Sequence, residues 1–519
     1  MDEFLWWRDG VIYQIYPRSF SDSNGDGLGD LVGIASHLDY LQDLGIDAIW
    51  LSPFQPTPDK DFGYDISNYM DVDPRFGTLA DFSRLVAEAH RRDIRIILDL
   101  VLNHTSDQHT WFQESRSSQD NPKRDWYIWR DHPNNWQASF GGSAWEYDPV
   151  TRQYYLHLFT KEQPDVNWRN RDVRKAMLDV FRFWMELGAD GFRLDVFNAY
   201  FKDPQLPDNP PKFGLRAFDR QQHIHDIDQP EMMPFLNELR SLLDSYPERY
   251  AVGETYLATL PKTISYCGKD KLHAAFSFDF TANDLSFSWN PAWLRDQIAR
   301  REEAFTRAAI WPTTVMSNHD LPRAAGRYGR GEDDAQAKLA MTLLLTLRGT
   351  PFLYYGEEIA MRDISLKRSE ILDPPGRKYW PIYKGRDGCR SPMQWNDEPF
   401  AGFSNTRPWL PVHPDYVQRN VAAQQADPHS MFNFTKGLLR LRKETPALRR
   451  GSYTPLQAPR GTLAYLRQTD DQSVLVAMNF SKRQVNLPWP AGDWRVILTT
   501  SEDARGVLAP YQIQLFIKV

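Results

Sequence analysis

The 519-residue chain predicts an α/β fold, a (β/α)8 TIM barrel carrying a small domain inserted after the third strand and an antiparallel β domain at its C-terminal end. Three observations lead there. Eight short, near-continuous apolar runs alternate with amphipathic stretches, the pattern of a parallel sheet buried on both faces, and eight strands close such a barrel. The alternation breaks after His104 and resumes near Asp172. From Leu448 onward the signals become short strands separated by turns, as in a separate β layer. The expected division is therefore 1–104 and 172–447 for the barrel, 105–171 for the insertion and 448–519 for the β domain.

Each element has its own justification. Residues 10–16 and 46–51 are apolar runs that read as strands, with a helix expected between them over 33–44. Thr78 opens a helix over 78–91, and Asp81, three residues on, completes a capping-box-like start. Residues 95–101 form the third strand. The next stretch is rich in Trp, Asn, Asp and Pro, lacks helical periodicity and is too long for an ordinary loop. Helices are then expected over 172–187, 233–245 and 336–347. Strands are expected over 191–196, 250–253, 275–278, 313–316 and 351–355, and over 463–466 and 473–478 in the tail. There is no internal repeat.

Composition narrows the function. Hydrophobic content of 41% and charged content of 25% are those of a globular chain, so a disordered or fibrous protein is excluded. With 61 Lys+Arg against 68 Asp+Glu the formal charge is −7, and there is no long basic run, which disfavours nucleic acid or an anionic membrane as partner. The aromatic fraction of 13%, including 18 Trp, suits either core filling or stacking against sugar faces, and composition does not separate the two. Cys267 and Cys389 stand far apart outside any metal-ligand spacing, which fits a reducing compartment. No basic n-region followed by an apolar stretch opens the chain, and no apolar run is long enough to span a membrane. The expected location is the cytoplasm.

In a barrel, chemistry belongs at the C-terminal ends of the strands. There the sequence places Asp99 with Asn103 and His104, Arg193 with Asp195, Glu254, and His319 with Asp320. Any one of them could be a structural polar group. Several like charges around one small cavity are costly, and such an arrangement is more often functional than accidental. Two carboxylates of different character suit glycosidic cleavage, one as nucleophile and the other as proton donor. Asp195 lies two residues after Arg193, so both side chains are expected on one face of the pleat, with the guanidinium holding Asp195 ionised at a lowered pKa. Glu254 has no adjacent cation in sequence and is expected to keep a raised pKa and act as the acid.

At these residues the sequence resembles the α-amylase family of glycoside hydrolases, specifically its bacterial exo-α-glucosidase and oligo-1,6-glucosidase branch. The hallmark segments are matched by Asp99-Leu100-Val101-Leu102-Asn103-His104, Gly191-Phe192-Arg193-Leu194-Asp195, Val252-Gly253-Glu254-Thr255 and Ser317-Asn318-His319-Asp320, in the family's order. A fifth segment, Gln163-Pro164-Asp165-Val166-Asn167-Trp168, resembles one inside the insertion of the glucosidase branch. The resemblance covers nearly the whole chain. It implies Asp195 as nucleophile, Glu254 as acid/base and Asp320 as the third carboxylate, gripping sugar hydroxyls. It also implies that Tyr64 and Asp65 form the floor of the pocket for the nonreducing glucose, that His104, Arg193 and His319 line it, and that Arg386 helps to close it, with a surface salt bridge as the alternative for Arg386. Phe140 and Phe159 are placed towards the aglycone side.

The loop Asp22-Ser23-Asn24-Gly25-Asp26-Gly27-Leu28-Gly29-Asp30 has alternating Asp and Asn with glycine at the sixth place, as in a calcium loop, but Gly33 stands where an EF-hand needs its bidentate Glu. It resembles the single-ion loop of the glucosidase branch. That implies one structural divalent cation, Ca2+ or Mg2+, held by Asp22, Asn24, Asp26, Asp30 and the Leu28 carbonyl.

The implied substrate is a short oligosaccharide with terminal α-linked glucose. Val196 after the nucleophile resembles the α-1,6-cleaving enzymes, whereas the segment 201–212 resembles relatives with broader α-glucosidase activity. A side chain differing by about a methyl group discriminates by only about 1–3 kcal/mol, so α-1,6 is favoured only slightly. Two rival readings remain. A trehalose synthase or sucrose isomerase would pass the glucosyl group to a sugar instead of water. A noncatalytic transporter-associated heavy chain would need a membrane segment and commonly lacks the catalytic residues, whereas Asp195, Glu254 and Asp320 are all present here.

Overall fold

The computed structural model describes residues 4–281, 289–328, 334–488, 490–501 and 506–519. In chain order the strands are β1 (Ile12–Ile15), β2 (Ala48–Leu51) and β3 (Arg95–Leu100), then β4 (Trp129–Arg130), β5 (Trp145–Asp148) and β6 (Gln153–Leu156) of the insertion. They continue with β7 (Gly191–Leu194), β8 (Tyr250–Gly253), β9 (Ala274–Ala275), β10 (Thr313–Val315) and β11 (Thr350–Tyr354). The tail holds β12 (Ser452–Pro455), β13 (Thr462–Gln468), β14 (Ser473–Asn479), β15 (Val485–Asn486), β16 (Trp494–Thr499), β17 (Val507–Leu508) and β18 (Ile513–Lys518).

Eight of these form one parallel sheet in the order β10-β11-β1-β2-β3-β7-β8-β9. The seam between β9 and β10 is bridged by one side chain: Thr313 Oγ1 donates to the Ala275 carbonyl at 3.1 Å and accepts from the Ser277 N–H at 3.3 Å. The strand expected over 275–278 is shorter than its apolar pattern suggested and lies one residue earlier. Inside the barrel the lower level is filled by apolar side chains, among them Ile12, Ala48, Ile97, Tyr250, Val252, Val315 and Phe352. Register sets the height of the polar groups above them. Asp99 stands opposite Arg193 and Leu194 opposite Gly253, so the chain leaves β7 and β8 side by side at Asp195 and Glu254. Gly253 has to be glycine, because a Cβ there would come within 2.3 Å of the Phe197 ring.

The helix over Leu79–His90 begins as its sequence implied: Thr78 and Asp81 form a reciprocal capping box. The single helix expected over 33–44 is instead two, Leu31–Ser36 and Leu38–Leu44, broken at His37. The His37 ring stacks on Trp395 at 3.9 Å and its Nδ1 sits 2.9 Å from the Gly33 carbonyl, contacts that periodicity does not reveal.

The insertion is a three-stranded antiparallel sheet, ordered β4-β6-β5, with its own core of Trp136, Ala144, Trp145 and Leu156. A buried ammonium joins it to the barrel: Lys202 Nζ lies 2.9 Å from both Asp165 Oδ2 and Asn103 Oδ1. Removing such a partner strands buried polar groups. The tail sheet is ordered β12-β13-β14-β18-β16, and its inner residues Leu463, Tyr465, Val474 and Leu515 belong to the same apolar cluster as the barrel helices. At that junction Arg442 donates to the carbonyls of Leu345, Leu448 and Gly349 at 2.7–3.0 Å. The tail is thus an extension of the barrel's core.

Candidate active site

The rim above the apolar plug is built on one guanidinium. Arg193, 1% exposed, donates from Nη1 to Asp99 Oδ1 at 2.7 Å and Asp195 Oδ1 at 2.8 Å, and from Nη2 to Glu254 Oε2 at 2.6 Å. Its flat face lies over the rings of Trp50 and Tyr64, at 5.3 and 5.8 Å. Asp195 and Glu254 are therefore both within reach of a single planar group, with side-chain exposures of 10% and 15%, while Asp99 is sealed.

Two electrostatic expectations are corrected here. Asp195 lies beyond the end of β7, and the pull of Arg193 does not bring its pKa below the ordinary value. Burial pushes it well above the usual carboxylate range, and Glu254, Asp99 and Asp320 add to that by repulsion against the pull of Arg193. One cation shared among three carboxylates does not outweigh desolvation and repulsion. Asp99 is raised by burial to about 6, against the pull of Arg193. Glu254, expected to stand without a cation, is bonded to Arg193 from the neighbouring strand. The residue after Asp195 pays a local cost: Val196 adopts φ 35° and ψ 39°, a left-handed backbone that a β-branched residue takes only under strain.

A second cluster closes the opposite side. Arg386 donates to Asp61 Oδ1 at 2.6 Å, Asp373 Oδ1 at 2.6 Å and Asp320 Oδ1 at 3.2 Å. It is no surface salt bridge, since its side chain is 10% exposed. Asp320 also receives Arg390 Nη2 at 2.8 Å. Against burial, the His319 ring and the Arg386 and Arg390 guanidiniums hold the Asp320 carboxyl well below the usual carboxylate range.

His319 links the two clusters. Gln14 Nε2 contacts its Nδ1 at 2.7 Å and Ser52 Oγ at 3.1 Å; with the amide nitrogen as donor to both, the ring proton belongs on Nε2. That nitrogen meets Tyr64 Oη and, at 3.2 Å, Asp320 Oδ2. Burial pushes the ring down to about 3, so it is neutral at working pH. Tyr64 stacks on it with centroids 5.2 Å apart and donates to Asp99 Oδ2 at 3.0 Å. His104 Nε2 lies 2.9 Å from the Tyr64 carbonyl, and burial lowers its pKa as well.

Asp65 does not join them. Its carboxylate accepts from Lys60 N at 2.8 Å, Asp61 N at 3.0 Å and Thr57 Oγ1 at 2.9 Å, so it holds the loop and does not form a pocket floor. Asp61 is the carboxylate that meets Arg386, and Gln163 Nε2 contacts its other oxygen at 3.2 Å. Sequence reasoning missed Asp61, Gln163 and Arg390 as site residues. Asp61 stands three residues before Tyr64, Arg390 four residues after Arg386, and Gln163 opens the fifth segment quoted above.

The loop 22–30 holds oxygen donors only, which suits a hard divalent cation. In this structure the Asp and Asn side chains accept mainly from backbone N–H groups of the loop and of the helix after it, and Asp22 Oδ2 also accepts from Ser404 Oγ at 2.6 Å. Asp22 Oδ1 accepts from Gly25 N at 2.7 Å, Asn24 Oδ1 from Asp26 N at 2.9 Å, and Asp26 Oδ1 from Leu28 N at 2.8 Å. Asp30 accepts from Ser23 N and Gly33 N at 2.8 and 2.6 Å. Among the described residues no group of three or more His, Cys, Asp or Glu side chains converges as a metal site.

Residues 14–451 match the family described as alpha amylase, catalytic domain, and residues 449–514 match a domain of unknown function. The chain belongs to the α-amylase family. Within it, this glycoside hydrolase is 45% identical over 499 residues to a probable alpha-glucosidase of Rhizobium meliloti (strain 1021), covering 92% of this chain and 89% of that protein. It is 40% identical over 520 residues to the oligo-1,6-glucosidase of Parageobacillus thermoglucosidasius, covering 93% and 91%. Among solved structures it is similar to the alpha-glucosyl transfer enzyme XgtA, with a TM-score of 0.93, 43% identity and complete coverage of both chains. In the described part of this α-amylase-family chain no helix is long and apolar enough to cross a membrane.

Proposed function

We propose that the chain is a retaining, exo-acting α-glucosidase that releases terminal nonreducing α-linked glucose from disaccharides and short oligosaccharides. The observation that carries this reading is the pair Asp195 and Glu254, held on two nitrogens of one guanidinium. In the first step Glu254 protonates the leaving oxygen while Asp195 attacks the anomeric carbon, giving a glucosyl-enzyme ester. In the second, Glu254 takes a proton from water, which attacks the same carbon and frees Asp195. Asp320, ionised by its cations, accepts hydroxyl protons of the bound glucose, and Arg386 with Asp61 closes the cup behind it. Cleavage of α-1,6 linkages is slightly favoured over α-1,4, on the strength of Val196 and of the relatives named oligo-1,6-glucosidase. Proton NMR of the first turnover tests the mechanism: α-glucose should appear before mutarotation, and β-glucose appearing first would refute it.

A second reading, glucosyl transfer to a sugar instead of water, is supported by similarity to an alpha-glucosyl transfer enzyme. Product analysis on maltose, isomaltose and sucrose separates the two. We also propose that a single structural Ca2+ or Mg2+ draws Asp22, Asn24, Asp26, Asp30 and the Leu28 carbonyl together. Chelation should then lower the melting temperature and added cation restore it; an unchanged Tm rejects the site. Two buried free thiols, Cys267 and Cys389, support a cytoplasmic location.

A further inference from the structure

Of the two guanidiniums over the barrel mouth, Arg193 is backed by a carboxylate that water does not reach, Asp99, while its other two partners face the cup. Arg386 has the same arrangement. Its partner Asp373 is sealed, whereas Asp320 is 31% exposed. Asp373 Oδ1 accepts from Arg386 Nε at 2.8 Å and from Nη2 at 2.6 Å, so one oxygen takes that whole edge of the fork. The remaining N–H groups reach Asp61 Oδ1 from Nη2 at 2.6 Å and Asp320 Oδ1 from Nη1 at 3.2 Å.

The same carboxylate binds Arg386 through its backbone as well. Asp373 Oδ2 accepts from the Arg386 N–H at 3.1 Å and from the Gly376 N–H at 3.2 Å, the second bond capping the short helix Pro374–Tyr379. Asp373 is held in turn by Asp387, whose Oδ2 accepts from the N–H groups of Leu372 and Asp373 at 2.6 and 3.0 Å. Two turns meet there with no room for a side chain: a Cβ on Gly385, at φ 83°, would lie 2.7 Å from Asp373 Oδ2 and 2.9 Å from the Gly376 Cα. Four N–H groups thus converge on one buried carboxylate, and three of them belong to Arg386. Burial works against the charge on Arg386, and Asp373 supports that charge ahead of Asp61 and Asp320. A carboxylate this enclosed cannot touch a sugar; whatever it does to the cup passes through Arg386.

We propose that Asp373 is a positioning residue for the glucose-binding cup, fixing the plane of Arg386 so that its remaining N–H groups meet Asp61 and Asp320. The inference rests on the α-glucosidase reading and deepens it. A guanidinium on a long stem loses side-chain entropy when it is held in one geometry, and a carboxylate behind it imposes that order before the sugar arrives. An amide in place of Asp373 accepts on one oxygen only, so either the fork or the two backbone N–H groups would face its NH2. Asp61 and Asp320 would then lose an aligned partner although neither had been altered. The loss is partial, because Asp320 keeps Arg390.

The test separates KM from kcat and then removes Arg386. On α-glucosyl fluoride, Asp373→Asn should raise KM about fivefold, the scale of one misaligned hydrogen bond, and hold kcat within about twofold. Calorimetry should show the same fall in affinity for glucose. In an Arg386→Met background the same change should move neither KM nor glucose affinity by more than about twofold, because the group it acts through is gone. It should also raise the melting temperature there, since Arg386→Met leaves Asp373 as a buried carboxylate without its counter-charge. If Asp373→Asn alone does not fold, the two proteins lacking Arg386 decide: a double variant that binds glucose clearly more weakly than Arg386→Met overturns the proposal. So does a folded Asp373→Asn with unchanged glucose affinity, or one whose loss is equally large without Arg386. Wild-type protein that bound glucose but hydrolysed no α-glucoside would refute the glucosidase reading alone, and glucose affinity would still measure the role of Asp373. Wild-type protein that bound no glucose would overturn both.

Discussion

Two guanidinium groups each gather three carboxylates over the barrel mouth, and the pKa shifts of Asp99 and Asp195 beside one run opposite to that of Asp320 beside the other. Arg193 holds Asp99, Asp195 and Glu254, and there Asp99 and Asp195 are pushed upward. Arg386 holds Asp61, Asp320 and Asp373, and there Asp320 is held down. Asp320 has a second guanidinium, Arg390, and its side chain is 31% exposed; Asp195 has one shared cation and is 10% exposed. An arginine contact does not by itself lower a carboxylate's pKa. The number of cations each carboxylate meets, and the water left to it, decide the sign.

The comparison can be broken most severely at Asp195. Asp195→Asn should lower kcat on an aryl α-glucoside by about 10⁴-fold, the scale of losing a covalent nucleophile. It should not lower Tm, because it removes one of three mutually repelling charges; near-normal turnover would move the reacting centre away from Arg193. Next in size, Arg193→Met leaves the three carboxylates without counter-charge and should cost about 3–5 kcal/mol in urea unfolding at neutral pH. The loss should shrink towards pH 5, where Asp99, raised to about 6, carries its own proton. A pH-independent loss would mean that packing, not charge, is what Arg193 supplies.

Arg386→Lys sharpens the other half. It keeps the charge but loses the fork that spans Asp61, Asp320 and Asp373, so KM should rise about tenfold, about 1.4 kcal/mol, with a smaller change in kcat. The smallest effect concerns Asp65, outside both clusters and raised by burial to about 7 from 3.8. Between those values the native chain holds a proton that the unfolded chain has released, so this group's contribution to stability is full below about pH 4 and is lost as pH rises to about 7. In Asp65→Asn the dependence of Tm on pH should be flatter over that window, and an unchanged slope would show that Asp65 titrates normally.

Much of this was legible in the chain. Apolar runs located the barrel strands because burial on both faces leaves no room for polar residues, and Thr78 with Asp81 located a helix start because capping is local chemistry. The helix break at His37 was not, because its cause is a stacking partner at Trp395, far away in sequence. The aromatic excess served both uses that composition left open: Trp50, Trp136, Trp168 and Trp184 are fully buried, while Phe140 and Phe159 face the site. Asp61 and Asp65 are four residues apart and chemically identical. Which one meets Arg386 was settled by the turn between them, where Phe62 and Gly63 take φ of 51° and 106°.

By itself, then, the sequence determined the order of strands and helices and the kinds of side chain delivered to the rim, since periodicity and capping act over a few residues. The ionisation of those side chains was a tertiary decision. Arg193 is two residues from Asp195, yet its pull is shared with Asp99 and Glu254, which reach it only through strand register. Coulomb energy and desolvation depend on distance and on surrounding water, and both are properties of the folded chain alone.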